Sequence, residues 1–245
     1  MIITVVNHTN GLIDDDEVQE GIRAVNRQIA EDFEPYWSFG AKLRLEGRAG
    51  KQPRRQSMGD LRGDAILYLW DRVDADGASG YHDANARGIP FGLVFPVVSQ
   101  ELKENWTVTL SHEALELIGD PQGNLLVKGP HPEDARRHVF HWFEMCDAVQ
   151  DEQYRIDDVP VSNFLLPLYF TPGEQEGGRN DFLGTVNADG STLRSFDVNE
   201  GGYIGFYDPK NRKSITWERS ERARARARLK KKRHIGRGQL IRLAK

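Results

Sequence analysis

Four side chains that can bind a cation lie close together in residues 107–124. They are His112, Glu113, Glu116 and Asp120. At about 100° per residue, a helix over residues 109–120 places them on one arc and apolar residues on the other, which predicts an amphipathic helix. The polar arc contains neither Lys nor Arg, although a solvated face usually mixes charges of both signs. Two interpretations are open, a metal site of imidazole and carboxylates or a polar face that contacts only water.

The spacing of these residues follows a catalytic pattern. His112, Glu113 and Glu116 give H-E-x-x-E, which resembles the zincin motif H-E-x-x-H with Glu in place of the second His. Positions i and i+4 lie one turn apart, so one cation can contact both His112 and Glu116, and Glu113 would be the general base. Gly119 follows as in the longer metzincin pattern, and Asp120 is the substitute we expect for its third ligand.

A second acidic group follows in residues 139–150, VFHWFEMCDAVQ. The segment is rich in apolar residues, which predicts a strand or a short buried stretch containing Glu144 and Asp147. Buried carboxylates need a partner or a cation, so Glu144 and Asp147 are candidates for the ligands that the helix lacks. Cys146 lies between Met145 and Asp147, in an acidic neighbourhood that disfavours a thiolate, and we interpret it as a buried thiol.

Two runs in this region resemble a widespread group of uncharacterised bacterial proteins. They are TVTLSHEALELIGDP and FEMCDAVQDEQYRIDDVPVSNFLLP, and the resemblance extends over residues 89–170. It implies a zincin-like, more narrowly metzincin-like, α/β (α+β) fold, in which a mixed sheet accompanies the motif helix and the E-M-C-D segment comes together with that helix. It implies no particular substrate. Because a His/carboxylate set is harder than three imidazoles, Zn²⁺ is the expected metal while Ca²⁺, Mn²⁺ and Fe²⁺ stay open.

Composition narrows the class of protein. The chain has 245 residues, 38% of them hydrophobic, and a single cysteine, which excludes an internal disulfide framework. The first residues resemble a strand more than a signal peptide, and no run of 18 apolar residues occurs. These features predict a cytoplasmic protein without a membrane span.

Charge is distributed unevenly along the chain. Residues 217–245 contain 12 Lys and Arg against two Glu, whereas the rest of the chain has a net charge of −14. We therefore predict a globular domain over residues 1–216 and a basic, low-complexity tail over residues 217–245. The tail would bind nucleic acid or an acidic protein partner, or it would fold back on the acidic body.

The elements that must position the motif begin with an α/β pattern. Strands are predicted over residues 2–7, 41–45 and 65–70, with an amphipathic helix after the first of them that ends near Asp32, before Pro35. Residues 89–98, IPFGLVFPVV, contain two prolines and are predicted to form an edge strand. In zincin-like folds the strand beside the motif helix pairs with extended substrate, which would make an extended peptide the partner. The alternative is an ordinary edge strand blunted by proline.

The sequence therefore supports two hypotheses. The first is a metal-dependent, peptidase-like hydrolase in which Glu113 is the general base. The second is a non-catalytic, metal-stabilised scaffold whose basic tail binds its partner. An open coordination position would distinguish an enzyme from a structural site that protein ligands close.

Overall fold

The structure is a computed structural model of the chain. It describes residues 1–46, 63–71, 79–85, 87–173, 178–187 and 189–219. The protein has a mixed α+β architecture with several sheets and few helices. No helix in these described ranges is both long and apolar enough to cross a membrane.

The chain divides into two compact units, and each contributes separate stretches of sequence. The first unit comprises Met1–Gly123 and Gln153–Ser162. The second comprises Asn124–Glu152 and Asn163–Lys245. The motif helix belongs to the first unit.

A five-stranded sheet forms the centre of the first unit. Its strands are β1 (Ile2–His8), β2 (Lys42–Glu46), β3 (Ala65–Trp70), β4 (Gly80–Ala84) and β5 (Pro90–Val94). The strand order is β2-β1-β3-β5-β4, in which β4 is antiparallel to β5 and the other neighbours are parallel. Strands β1, β2 and β3 lie close to the positions predicted from the sequence.

The prediction of an edge strand over residues 89–98 is wrong. Strand β5 pairs with β3 on one side and with β4 on the other, so β4 lies at the edge of this sheet. Pro90 is the first residue of β5, and Pro96 is the first residue of helix α3 (Pro96–Glu101). Both positions tolerate a missing N–H, so the two prolines mark the ends of elements instead of a free edge.

The helical segment after β1 is longer than predicted. Asp14 caps the N-terminus of helix α1 (Asp15–Arg27), and its side chain accepts a hydrogen bond from the Glu17 backbone N–H. A π-helical turn over Gln28–Phe33 follows, and helix α2 (Glu34–Trp37) continues from it. The predicted end near Asp32 is therefore wrong, because the helical backbone continues past Pro35, which lies at the start of α2, the part of a helix that best tolerates a missing N–H.

The motif lies on helix α4 (Trp106–Gly119), which is buried along its whole length up to Ile118. Helix α4 packs against α1 and the central sheet, and against the hairpin of β8 (Gln153–Ile156) and β9 (Val159–Ser162). A helix covered on all sides has no solvated face. The interpretation of its polar arc as a surface in contact with water is therefore wrong.

A four-stranded antiparallel sheet belongs to the second unit. Its strands are β6 (Leu126–His131), β7 (Asp134–Trp142), β10 (Tyr203–Asp208) and β11 (Lys213–Glu218), in the order β11-β10-β7-β6. The predicted buried segment begins as the end of β7 and continues into a short 3-10 helix, Asp147–Val149. Strand β11 continues past residue 216, and residues 220–245 of the predicted tail lie outside the described residues.

Candidate metal centre

Helix α4 brings three of the predicted site residues into a buried environment. The side chain of Asn105 caps the helix by accepting a hydrogen bond from the Thr107 backbone N–H at 2.9 Å. From this start, His112, Glu113 and Glu116 all lie on the buried helix, with exposed fractions of 4%, 0% and 0%. Two carboxylates and one imidazole are thus removed from water within a little more than one turn.

A second imidazole, from His82 on strand β4, meets these carboxylates. Its Nδ1 lies 3.3 Å from Glu116 Oε2 and 3.6 Å from Glu113 Oε2, and all three side chains are fully buried. The ligand atoms of this trio lie within 4.8 Å of one another, close enough to hold one metal ion.

The predicted pair on the helix lies slightly closer together than two ligands of one metal ion. His112 Nε2 lies 3.0 Å from Glu116 Oε1. Bonds of about 2.0–2.2 Å at a tetrahedral angle place two ligand atoms about 3.3–3.6 Å apart, so this pair needs only a small adjustment. Neither oxygen of Glu116 has a hydrogen bond of acceptable geometry with the described residues, although each lies near an imidazole nitrogen. A buried carboxylate in this state is suited to accept a cation.

The electrostatic environment keeps Glu116 ionised. Burial acts to raise the pKa of Glu116, but the imidazoles of His112 and His82 outweigh it and hold the pKa well below its usual value. The anionic form of Glu116 is the form that binds a metal.

A buried hydrogen-bond network fixes helix α4 next to the site. Ser111 Oγ donates to Gln28 Oε1 at 2.6 Å, and Gln28 Nε2 donates to the Ser162 carbonyl at 2.8 Å. The Ser162 N–H completes the network by donating to Ser111 Oγ at 3.1 Å. Gln28, Ser111 and Ser162 are each fully buried, so the network ties α4 to the π-helical turn and to β9.

Strand β4 approaches helix α4 closely at a glycine. A Cβ atom placed on Gly80 would lie 2.7 Å from Thr109 Cγ2 and 2.8 Å from Glu113 Oε1. Both distances are shorter than van der Waals contact. The absence of a side chain at Gly80 therefore lets β4 lie against the Glu113 carboxylate.

The other predicted ligands are all buried, in different parts of the chain. Asp120 follows the end of α4, and its N–H donates to the Glu116 carbonyl at 2.8 Å. Glu144 and Asp147 are buried in the second unit, as the sequence predicted, where they line a cavity of about 10 Å³ with His141 and Tyr169. That volume would accommodate about one water molecule. The role of Asp120, Glu144 and Asp147 as ligands stays a prediction.

Sequence reasoning missed His82. The residue lies thirty positions before His112 in the segment GYHDA, whose alternation places Gly80 and His82 on the face of β4 that meets α4. Many exposed histidines also lie between an aromatic and an acidic residue, so these neighbours alone do not indicate a site. The usable signal was its place on a short strand preceding the motif helix, which becomes informative only when the strand order is known.

Comparisons with known proteins leave the site to be interpreted from its own geometry. No family model, curated protein or solved structure matches the chain.

Proposed function

We propose that this protein is a metal-dependent hydrolase of the peptidase-like class, with a zincin-like arrangement of the motif helix on a mixed sheet. The observation that carries the proposal is the buried Glu116 carboxylate, whose two oxygens lie 3.0 Å and 3.3 Å from the nitrogens of two imidazoles. The motif residues His112 and Glu113 lie about one turn earlier on the same helix. Such a set of donors suits a divalent cation.

His112 and Glu116 are the residues that would hold the cation. They lie one helical turn apart, and the low pKa of Glu116 keeps it in the binding form. Asp120, which follows the end of the same helix, would supply a further oxygen ligand. An imidazole with carboxylates fits Zn²⁺, and also Fe²⁺, Mn²⁺ and Ca²⁺, which favour oxygen ligands to increasing degrees.

Glu113 would perform the proton transfer. When bound, a divalent metal supplies a Lewis acid that polarises a carbonyl group and acidifies water. The Glu113 carboxylate would accept a proton from the attacking water and pass it to the leaving amine, as a general base and then a general acid. Its burial against Gly80 restricts the positions that the carboxylate can occupy.

Metal content is the first test. Protein purified without chelator is measured by elemental analysis, beside the His112→Ala/Glu116→Ala variant and a His138→Ala/Glu101→Ala control, both of whose residues are exposed. We expect about one equivalent of metal in the wild type and the control and none in the site variant. No metal in the wild type, even after addition of Zn²⁺, Mn²⁺, Fe²⁺ or Ca²⁺, would refute the proposal.

Hydrolysis is tested with the Glu113→Gln variant. Gln keeps the shape of the side chain but cannot accept the proton, so we expect metal binding to remain and cleavage of a mixed peptide library to fall at least about 100-fold. Equal cleavage by the wild type and the variant would remove Glu113 from the mechanism.

The burial of the site favours a second candidate function. His82, His112, Glu113 and Glu116 are at most 4% exposed, and a site that protein groups enclose is typical of structural metals. Under this alternative, the metal stabilises a non-catalytic scaffold, and residues 217–245 bind nucleic acid or an acidic protein. Metal retention without cleavage in the wild type would favour it.

The tail is tested by deletion of residues 220–245. Because residues 217–245 contain 12 Lys and Arg against two Glu, we expect the full chain to bind duplex DNA with an affinity that falls steeply with salt, and the truncated chain not to bind. Equal, salt-dependent binding by both chains would assign the interaction to another surface.

A further inference from the structure

We propose that His82 is a positioning residue that holds the carboxylates of Glu113 and Glu116 from strand β4. The inference rests on the proposed function, because it assigns Glu116 to the metal and Glu113 to proton transfer. It adds a residue from outside the motif helix, and the motif alone does not predict it.

The first observation is that one imidazole lies close to both acids. His82 Nδ1 is 3.3 Å from Glu116 Oε2 and 3.6 Å from Glu113 Oε2, and none of the three side chains is exposed. Two carboxylates at i and i+3 on a helix repel each other, and the repulsion is stronger away from water. An imidazole N–H close to both of them offsets that repulsion and restricts their orientation.

The second observation is that the two imidazoles lie beside different oxygens of the Glu116 carboxylate. His112 Nε2 lies beside Oε1, whereas His82 Nδ1 lies beside Oε2. A cation shared by His112 and Oε1 therefore leaves Oε2 to His82. The groups that hold the remaining oxygen of a ligating carboxylate fix its orientation, and their loss typically weakens metal binding about 10–100-fold.

The third observation is the close approach of the strand that carries His82. Gly80 lies two residues earlier, on the same face of β4, and a Cβ there would collide with Glu113 Oε1 at 2.8 Å. Because the strand passes this close to the helix, the short side chain of His82 places its imidazole beside both carboxylates.

The test measures Zn²⁺ affinity by competition with a chromogenic chelator. His82→Ala removes the imidazole, and His82→Asn keeps an N–H group near the position of Nδ1. Asp83→Asn is the matched control, since Asp83 is the next residue of β4 and points to the other face. We expect His82→Ala to bind Zn²⁺ about 10–100-fold more weakly than the wild type, His82→Asn to recover most of that loss, and the control to match the wild type.

A spectroscopic count separates positioning from ligation. X-ray absorption of the Zn²⁺-loaded wild type and His82→Ala should give the same number of bound imidazoles, because His112 remains. One imidazole fewer in His82→Ala would make His82 a ligand and would overturn its role as a positioning residue.

Failure of this inference differs from failure of the proposed function. Zn²⁺ binding that depends on His112 and Glu116 but is equal in the wild type and His82→Ala would overturn the inference alone. No Zn²⁺ binding in the wild type would overturn both. If His82→Ala does not fold, His82→Asn is compared with His82→Gln, whose N–H lies near the position of Nε2 instead, and equal affinities of these two variants would overturn the inference.

Discussion

Replacement of Gln28 by Leu should destabilise the first unit and disturb the site through helix α4. Gln28 is fully buried, accepts a hydrogen bond from the Ser111 hydroxyl and donates one to the Ser162 carbonyl. Leu has a similar volume but no polar atoms. The substitution therefore removes both hydrogen bonds while it fills almost the same space.

The size of this destabilisation is set by the two polar groups that lose their hydrogen bond to Gln28. A buried polar group left without its partner costs about 1–3 kcal/mol, so the Ser111 hydroxyl and the Ser162 carbonyl together cost about 2–6 kcal/mol. The additional apolar surface that Leu buries returns about 1 kcal/mol of this. We expect the free energy of unfolding to fall by about 1–5 kcal/mol, a large part of the stability of a typical domain.

Urea unfolding followed by tryptophan fluorescence would measure the loss. Gln100→Leu is the matched control, because Gln100 is exposed on helix α3 and its substitution should change stability by less than about 0.5 kcal/mol. The double variant Gln28→Leu/Ser111→Ala should lose less than the sum of the two single variants, because their partners are then removed together. A Gln28→Leu variant as stable as the control, or strictly additive losses, would refute the account of the network.

Three further predictions concern burial and close packing. Burial lowers the pKa of His141 to about 4, whereas the imidazole of the unfolded chain takes up its proton near pH 6.5. The folded state therefore has its full stability above about pH 6.5 and loses stability as the pH falls toward 4. We expect the free energy of unfolding to drop by about 2 kcal/mol between pH 7 and pH 5 in the wild type but not in His141→Gln, as urea unfolding at several pH values would show. Gly80→Ala should displace Glu113, since its Cβ would lie 2.8 Å from Oε1, and should lower peptide cleavage more than Zn²⁺ affinity; unchanged cleavage would contradict this. Gly21→Ala should lower the unfolding free energy by about 1–3 kcal/mol despite its higher helix propensity, because its Cβ would lie 2.9 Å from the Trp106 ring; a thermal melt with an unchanged or higher midpoint would contradict it.

Local patterns were sufficient to predict several elements. The uninterrupted apolar run of β3 is a signal within a few residues, and the strand appears where the sequence placed it. The motif helix was also predicted, because its period of apolar residues extends over three turns. These features depend on the backbone geometry of one segment at a time.

Features that depend on distant segments could not be predicted in this way. The sequence could not show that α4 is covered on every side, because the covering residues belong to α1, the central sheet and the β8–β9 hairpin. The same reason explains why β5 was taken for an edge strand, since its partner β4 is short and weakly patterned. The place of His82 beside Glu116 is a consequence of that pairing. For the candidate site, the sequence gives the residues of the helix and the tertiary structure gives their partner.

The path of the chain has a consequence for the order in which its segments can pack during synthesis. Strand β9, which binds Ser111 through the Ser162 N–H and accepts a hydrogen bond from Thr107 through the Pro160 carbonyl, follows α4 only after residues 124–152 of the second unit. A nascent chain that has emerged up to Gly123 contains the whole central sheet and the motif helix, yet it lacks these partners for α4. Contacts between such distant positions form slowly. The candidate metal ligands His112 and Glu116 are therefore synthesised well before the hairpin that completes the packing of their helix, and this packing is completed only after Ser162 has emerged from the ribosome.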